Sequence, residues 1–348
     1  MTNNKHKFPY KWNLADGYPA KGITKNECNV FGTFICGGGS TMGYKLAGFN
    51  HLGGVEIDKQ VAEIYQTNHN PKYLFNEDIR LFNERKDLPK ELYNLDILDG
   101  SPPCSTFSMA GSREKAWGKE KKFREGQANQ TLDDLVFVYC DTIIKLQPKV
   151  FILENVKGII QGNAKVYSKK IVEKMTKAGY TVQVFLLNAA SMGVPQKRER
   201  VFFIGFKKEL GFPKLKLEFN EKPIVFDEIS DNNDLSIENK TEVSKYYVKT
   251  PKGKAFSYAH ENGSFFSDNK LYEKEVCTTI LADKGHGAWH HTIQRKLNKW
   301  ELSLAGTYPL DYDFKNIEPK YLIGMSVPPV MTAQISHQIY LQWLSKIK

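Results

Sequence analysis

The feature that most constrains this chain is an alternation of short apolar runs with longer amphipathic segments between Val30 and Phe206. Short apolar runs bounded by turn residues are typical of buried strands, and the longer segments have helical spacing. The predicted helices are Lys59–Asn68, Leu132–Leu146 and Ser168–Ala178, and the predicted strands are Val30–Ile35, Gly54–Ile57, Leu95–Leu98, Val150–Leu153, Val182–Leu187 and Val201–Phe206. This alternation predicts an α/β fold, with helices on both faces of a parallel, doubly wound sheet that binds ligands beyond the carboxyl ends of its strands.

The regular pattern stops after Lys207 and returns near Arg295. The stretch between is irregular, and the chain closes with an amphipathic helix around Val330–Ile347. We therefore predict a main domain over 28–206, a small irregular domain over 207–292, and a segment, 293–348, that returns to the main domain. Residues 1–27 form an extension to which the sequence assigns no role.

Charge and cysteine usage narrow the class of protein. The net charge of +10 favours a polyanionic partner such as nucleic acid, although many basic proteins have none. Five cysteines without a CxxC pair argue against a disulfide framework or a metal site. The polar start and the lack of a bilayer-length apolar run predict a soluble, cytoplasmic protein that does not enter a membrane.

A glycine-rich turn, Phe34–Gly39, follows the first predicted strand, and Gly38 and Gly39 allow close approach to a ligand. Glu56 follows the second strand, where an acid meets a ribose hydroxyl in dinucleotide folds, and Asp78 lies where a carboxylate could bond an adenine amine. Nucleoside binding is one interpretation, and a turn with surface acids is the other. The spacing of the glycines misses the G-x-G-x-x-G pattern, which counts against a nicotinamide-dependent oxidoreductase.

Cys104 follows Pro102 and Pro103 at the end of the predicted strand Leu95–Leu98. Prolines restrict the backbone, so they hold the thiol in a stiff turn at the ligand-binding edge of the sheet. A nucleophilic cysteine is one interpretation of this pattern, and an incidental buried cysteine is the alternative.

Two further groups of charged residues lie at strand ends. Glu154 ends a buried apolar strand, where a carboxyl group is suited to proton transfer, or to a helix cap or salt bridge. Arg198 and Arg200, at i and i+2, lead into the strand Val201–Phe206 and should point the same way. Guanidinium groups suit base oxygens and phosphates, and a solvated charge run is the alternative.

The order of these motifs is more specific than any one of them. Along the chain stand Phe34–Gly39, Glu56, Asp78, Pro102-Pro103-Cys104, Glu154-Asn155-Val156, Gln196-Lys197-Arg198-Glu199-Arg200, an irregular region, and Gly324-Met325-Ser326-Val327. This order closely resembles the cytosine-C5 DNA methyltransferase family over roughly residues 30–206 and 293–345. The resemblance implies a Rossmann-like catalytic domain, with a target-recognition domain in 207–292 and double-stranded DNA in the cleft between them.

The resemblance also implies the chemistry. S-adenosylmethionine is the expected cofactor, and no metal is expected. The target cytosine is expected to flip out of the DNA duplex. The protein is expected to act as a monomer. Cys104 would attack C6 of that base, with Glu154, Arg198 and Arg200 as the other catalytic residues. The residues expected to bind the cofactor are Phe34, Gly38, Gly39, Glu56, Ile57, Asp78, Ile79, Ser326 and Val327.

The motifs depart from the family pattern at four positions. Cys36 and Ile57 stand where a glycine and often a tryptophan are found, and Ser105 and Met325 replace a usual glutamine and asparagine. None of these changes removes a group that would perform the chemistry. Two other functions remain open from the sequence: a tRNA cytosine methyltransferase with the same motifs, and a catalytically silent DNA-binding module.

Overall fold

A computed structural model of the chain describes residues 6–103, 134–283 and 287–347. The strands are β1 (Asn29–Thr33), β2 (Asn50–Val55), β3 (Tyr73–Phe75), β4 (Ile97–Gly100), β5 (Val150–Val156), β6 (Tyr180–Asn188), β7 (Glu199–Lys207), β8 (Asn269–Lys270) and β9 (Ala288–Trp289). The α-helices are α1 (Gly39–Leu46), α2 (Lys59–His69), α3 (Ile79–Glu84), α4 (Leu135–Leu146), α5 (Lys165–Lys177), α6 (Lys299–Gly306), α7 (Pro319–Met325) and α8 (Pro329–Gln342).

The main sheet has seven strands in the order β3-β2-β1-β4-β5-β7-β6. Successive residues of a strand point to opposite faces of the sheet, and each face packs against a different set of helices. Ile152 packs with residues of α1 and α8, while Phe151 and Leu153 pack with residues of α4 and α5. The prediction of an α/β, Rossmann-like sheet with helices on both faces is confirmed.

The sheet is mixed, so the prediction of a wholly parallel sheet is wrong for β7. The first five strands pair in parallel, whereas β7 runs antiparallel to both β5 and β6. A parallel neighbour needs a crossover connection, usually a helix, but antiparallel neighbours can follow each other directly. The connection from β6 to β7 contains a short 3-10 turn and no α-helix, so β7 returns beside β6 in the opposite direction.

The first described residues of the chain pack onto the main core. Phe8 and Trp12 are buried, and the Trp12 indole donates a hydrogen bond to the Thr307 carbonyl at 3.0 Å. Further along, the Ala20 amide donates to the Leu46 carbonyl at the end of α1. This segment therefore joins α1 to the chain near α6, contacts that the sequence alone did not indicate.

The region over 207–292 has little regular structure and contains part of a small core of its own. Val243, Tyr247 and Phe256 pack with Trp289, whose indole donates to Asp268 at 3.2 Å. The division of the chain into separate domains stays a prediction. Across the described parts of the chain, we find no helix with the length and hydropathy needed to cross a membrane.

Candidate functional site

A cleft of about 1030 Å³, including its space open to solvent, lies at the carboxyl ends of β1, β2 and β4. Eight of the nine residues predicted to bind a cofactor line it: Phe34, Gly39, Glu56, Ile57, Asp78, Ile79, Ser326 and Val327. The ninth, Gly38, lies behind the turn with φ +80°, and a Cβ atom there would stand 2.2 Å from the His69 ring. Residues far apart in the chain thus meet at the edge where parallel sheets bind ligands.

The turn after β1 is held in an unusual backbone conformation. Phe34 and Cys36 have φ of +54° and +47°, the left-handed region that side chains with a Cβ disfavour. The Cys36 amide donates to the Glu56 carboxylate at 2.9 Å, which connects this turn to the end of β2. Cys36 thus occupies a conformation suited to the glycine that the family pattern has at this position.

Gly39 allows the glycine-rich turn to pack closely against the C-terminal motif that contains Ser326 and Val327. A Cβ atom at Gly39 would lie 2.4 Å from the Val327 carbonyl and 2.8 Å from the Ser326 side chain. Only a glycine lets the first turn of α1 approach that backbone so closely. Ser326 is itself fixed, since its hydroxyl bonds the Tyr308 phenol at 2.6 Å and the Leu322 carbonyl at 2.8 Å.

The acidic residues at the ends of β2 and β3 line the cleft and also accept hydrogen bonds from nearby backbone amides. Asp58 caps α2 by accepting two backbone N–H groups of its first turn, and Asp78 caps α3 by accepting one. Glu56 accepts the Asp58 amide at 2.9 Å besides that of Cys36. Burial raises the pKa of Glu56 to about 7, so its ionisation depends on what fills the cleft.

The lining of the cleft is strongly acidic. Five carboxyl side chains line it, and no lysine, arginine or histidine does so in the parts of the chain that the structure describes: the five are Glu56, Asp58, Glu77, Asp78 and Asp99. Arg80 and Arg85 pair with Asp78 and Glu77 without lining the cleft. A lining of this charge suits a cationic ligand and repels phosphates, which agrees with the absence of a nicotinamide-binding pattern.

The cleft ends beside the predicted nucleophile motif. Pro103 lines the cleft, and the buried Asn155 amide donates to the Pro102 carbonyl at 3.4 Å. The Pro102-Pro103 turn is thereby joined to the end of β5. Cys104 and Ser105 lie outside the described residues, so the structure says nothing of the thiol itself.

Glu154 and Arg200 form an ion pair close to this turn. The Arg200 Nε donates to Glu154 Oε1 at 2.9 Å, and their side chains are 15% and 12% exposed. The pair joins β5 to β7 at the edge of the sheet where the cleft lies. Such a pair can present hydrogen-bond acceptors from the carboxylate and hydrogen-bond donors from the guanidinium to the same polar ring of a ligand.

Arg198 has different partners from Arg200. Its side chain is buried, and its two terminal nitrogens donate to the Ile280 carbonyl at 3.1 Å and to the Gly324 carbonyl at 2.8 Å. Arg198, which immediately precedes β7, is therefore joined to Ile280 in the irregular region and to Gly324 in the returning C-terminal segment. Both contacts are with backbone carbonyls, while the ion pair brings Arg200 and Glu154 together; the catalytic role of Arg198 stays a prediction.

Asp99 is a site residue that the sequence analysis missed. It is 6% exposed, lines the cleft, and accepts a hydrogen bond from the Tyr44 phenol at 3.1 Å. The sequence does carry a signal for Asp99, since an acid at the end of the apolar run Ile97-Leu98 is the same pattern that indicated Glu154.

No group of three or more metal-ligating side chains is found within 6–103, 134–283 and 287–347.

Comparison with known proteins gives a consistent result. The family model described as C-5 cytosine-specific DNA methylase matches residues 29–341. The type II methyltransferase M.FnuDI of Fusobacterium nucleatum is 32% identical over 250 residues, covering 70% of this chain and 67% of its own. The type II methyltransferase M.NgoPII of Neisseria gonorrhoeae is 32% identical over 358 residues, covering 91% and 96%.

A solved structure shares the fold at lower sequence identity. The methyltransferase EhMeth of Entamoeba histolytica superposes with a TM-score of 0.62 at 14% identity, covering 91% of this chain and 98% of its own. At this identity the similarity concerns the fold alone.

Proposed function

The chain belongs to the C-5 cytosine-specific DNA methylase family, and we propose that it uses Cys104 and S-adenosylmethionine to methylate cytosine C5 at a specific sequence of double-stranded DNA. As a member of this family it is a DNA (cytosine-5-)-methyltransferase. The observation that carries the proposal is the acidic cleft beside both the Glu154–Arg200 pair and the Pro102-Pro103 turn. The role of its type II relatives suggests that the chain acts in a restriction–modification system.

The charge of the cleft suits S-adenosylmethionine. When bound, this cofactor supplies a methyl group activated by a positive sulfonium. Its sulfonium and ammonium outweigh its single carboxylate, which matches a lining of acids without bases among the described residues. We propose that Glu56 and Asp78 bind the ribose and adenine, with Phe34, Ile57 and Ile79 as apolar contacts, and that Gly39, Ser326 and Val327 surround the methionine portion.

The protein's own groups would then activate the base. The Cys104 thiolate adds to C6 of a flipped cytosine, which makes C5 electron-rich enough to accept the methyl group. Glu154 stabilises the charge that develops at the N3 edge of the ring, and Arg200 holds Glu154 in place while facing the same base. Loss of the C5 proton lets the thiol leave and frees Cys104 for another cycle.

We propose that sequence choice resides in residues 207–292. Two observations support this: the small separate core formed with Trp289, and exposed lysines such as Lys249 and Lys254 beside it. Lysines of this kind neutralise phosphates, while neighbouring polar and aromatic groups can reach base edges. Tyr247, by contrast, is buried and donates to the His290 carbonyl at 2.7 Å, so it supports the core rather than DNA.

Bisulfite sequencing of DNA from a methylation-free host that expresses the chain tests the whole proposal. We expect 5-methylcytosine at one short motif with the native chain and none with Cys104→Ala. DNA with 5-fluorocytosine at the target should form a covalent adduct that maps to Cys104, because fluorine cannot leave as the proton does. Methylation of tRNA but not of DNA, or an adduct at another cysteine, would contradict the proposal.

A matched pair of variants tests the recognition region. Lys249→Ala with Lys254→Ala should weaken binding to all DNA sequences and flatten its salt dependence, without changing the methylated motif. Lys169→Ala, an exposed lysine on α5, serves as the control. A scan of 207–292 that never alters the methylated motif, while changes elsewhere alter it, would place recognition in another part of the chain.

A further inference from the structure

Asp99 lies at the end of the cleft nearest the proposed chemistry. Glu56, Asp58, Glu77 and Asp78 are grouped around the ends of β2 and β3, whereas Asp99 lies on β4, close to Pro103. In the sheet, Asp99 pairs with Ile152, so its side chain shares a face with Glu154 two residues further along β5. Asp99 and Glu154 also line one small pocket of about 210 Å³, including its space open to solvent.

The hydrogen bonds of Asp99 come from uncharged groups. Tyr44 donates to it at 3.1 Å and the Ser40 hydroxyl also bonds it, both from α1. Among the residues that the structure describes, no lysine, arginine or histidine forms an ion pair with this carboxylate. A buried carboxylate without a cationic partner is costly, so a cation that enters the cleft gains more from Asp99 than a neutral ligand does.

We propose that Asp99 is a specificity-determining residue of the cofactor cleft, whose carboxylate provides the counter-charge for the sulfonium of S-adenosylmethionine. The inference rests on the proposed function. S-adenosylmethionine and its product S-adenosylhomocysteine share the adenosine, the ammonium and the carboxylate, and they differ in the methyl group and the charge on sulfur. Asp99 thus favours the methyl donor over the neutral-sulfur product, which helps the product to leave.

The ionisation of Asp99 should make the preference between the two ligands depend on pH. Burial raises the pKa of Asp99 to about 7, and the nearby Glu154 contributes in the same direction against the hydrogen bonds of Tyr44 and Ser40. The phenols of Tyr44, Tyr65 and Tyr139 also face this carboxyl group and stay neutral near pH 7. Because a cation favours the ionised form, the preference for S-adenosylmethionine should be full above pH 7 and fall as the pH drops below it.

Isothermal titration calorimetry of both ligands at pH 8 and pH 6 tests this inference without any methyl transfer. Asp99→Asn should weaken S-adenosylmethionine binding about tenfold at pH 8, a typical size for such coupling, and change S-adenosylhomocysteine binding by less than about threefold. In the native protein the ratio of the two affinities should fall about fivefold from pH 8 to pH 6, because a tenfold preference for the ionised carboxylate is only partly lost at pH 6. Glu56 titrates in the same cleft, but its proposed ribose contact is common to both ligands and cancels in the ratio.

Two further comparisons make the test specific. Sinefungin, in which a protonated amine replaces the sulfonium, should follow S-adenosylmethionine if charge rather than methyl volume matters. Asp141→Asn is the matched control, since Asp141 is exposed and pairs with Lys174 on the outer face. If Asp99→Asn does not fold, Tyr44→Phe replaces it, and loss of that phenol should move the pH midpoint of the affinity ratio upward.

The outcomes separate the two proposals. An unchanged affinity ratio in Asp99→Asn, with both ligands still bound, would overturn the role of Asp99 and leave the proposed function standing. A native protein that binds neither ligand would overturn the proposed cofactor, and with it this inference.

Discussion

The buried pair of Arg295 and Glu301 offers a direct test of how the region before α6 is held. Glu301 is fully buried and accepts Arg295 nitrogens at 2.7 and 3.1 Å. It also accepts the backbone amides of Asp231 and Asn298. Glu301→Ala would remove all four acceptor contacts and leave a guanidinium that is 3% exposed without its main counter-charge.

The cost of this change follows from the burial. Removing one partner of a buried ion pair costs about 3–5 kcal/mol, because the remaining charge cannot return to water. With an unfolding entropy of about 2.1 cal/mol/K per residue over 348 residues, that loss lowers the melting temperature by about 4–7 °C. Replacing both partners with apolar residues should cost less than the sum of the single changes, with a coupling of about 1–3 kcal/mol.

Thermal and urea unfolding of the single and double variants measures these values. Glu242→Ala is the matched control, since Glu242 pairs with Lys245 on the surface, where a pair contributes about 1 kcal/mol or less. A Glu301→Ala variant within about 1 kcal/mol of the native protein, or a double variant that equals the sum, would refute the reasoning that this pair acts as a buried, mutually dependent unit.

Three other changes have expected outcomes. Glu154→Gln should lower turnover about a hundred- to a thousandfold with little loss of DNA affinity, in single-turnover and binding assays, because it stabilises charge that appears only during reaction. Cys36→Gly should raise the free energy of unfolding by about 1 kcal/mol in urea titrations, because glycine relieves the φ of +47°; a destabilised variant would show that the thiol's packing matters more. Trp12→Ala should cost about 3–5 kcal/mol by thermal unfolding, because the indole is buried and bonds the Thr307 carbonyl; a native-like melting curve would show that this segment is dispensable.

Much of the fold was predictable because its signals are local. The predicted helix Lys59–Asn68 agrees with α2 to within one residue, and Asp58 at its start accepts the amides of the first turn. The predicted strand Val150–Leu153 is the first part of β5, which continues to Val156. Periodicity and capping are properties of neighbouring residues, so a single sequence carries them.

The location of the site was predictable for a related reason. Glu56, Pro103 and Glu154 each follow or end an apolar run, and the carboxyl ends of parallel strands meet at one edge of the sheet. Strand-end position therefore brought residues about 50 positions apart into one expected site. The identity of the expected cofactor came from the resemblance, and the acidic lining of the cleft agrees with it.

By itself the sequence indicated most of the longer strands and helices, although not α1, α3 or β3, and it showed which strand ends are expected to carry chemistry and which family the chain resembles. Only the tertiary structure decided that β7 runs antiparallel, that Trp12 packs near α6, and that Arg198 bonds the Gly324 carbonyl while Arg200 bonds Glu154. It also placed Asp99 beside the proposed methyl-transfer end of the cleft. These features depend on contacts between side chains and backbone groups that lie tens to hundreds of residues apart in the chain. Periodicity and spacing are local properties, so they do not indicate which distant group a buried polar side chain will bond.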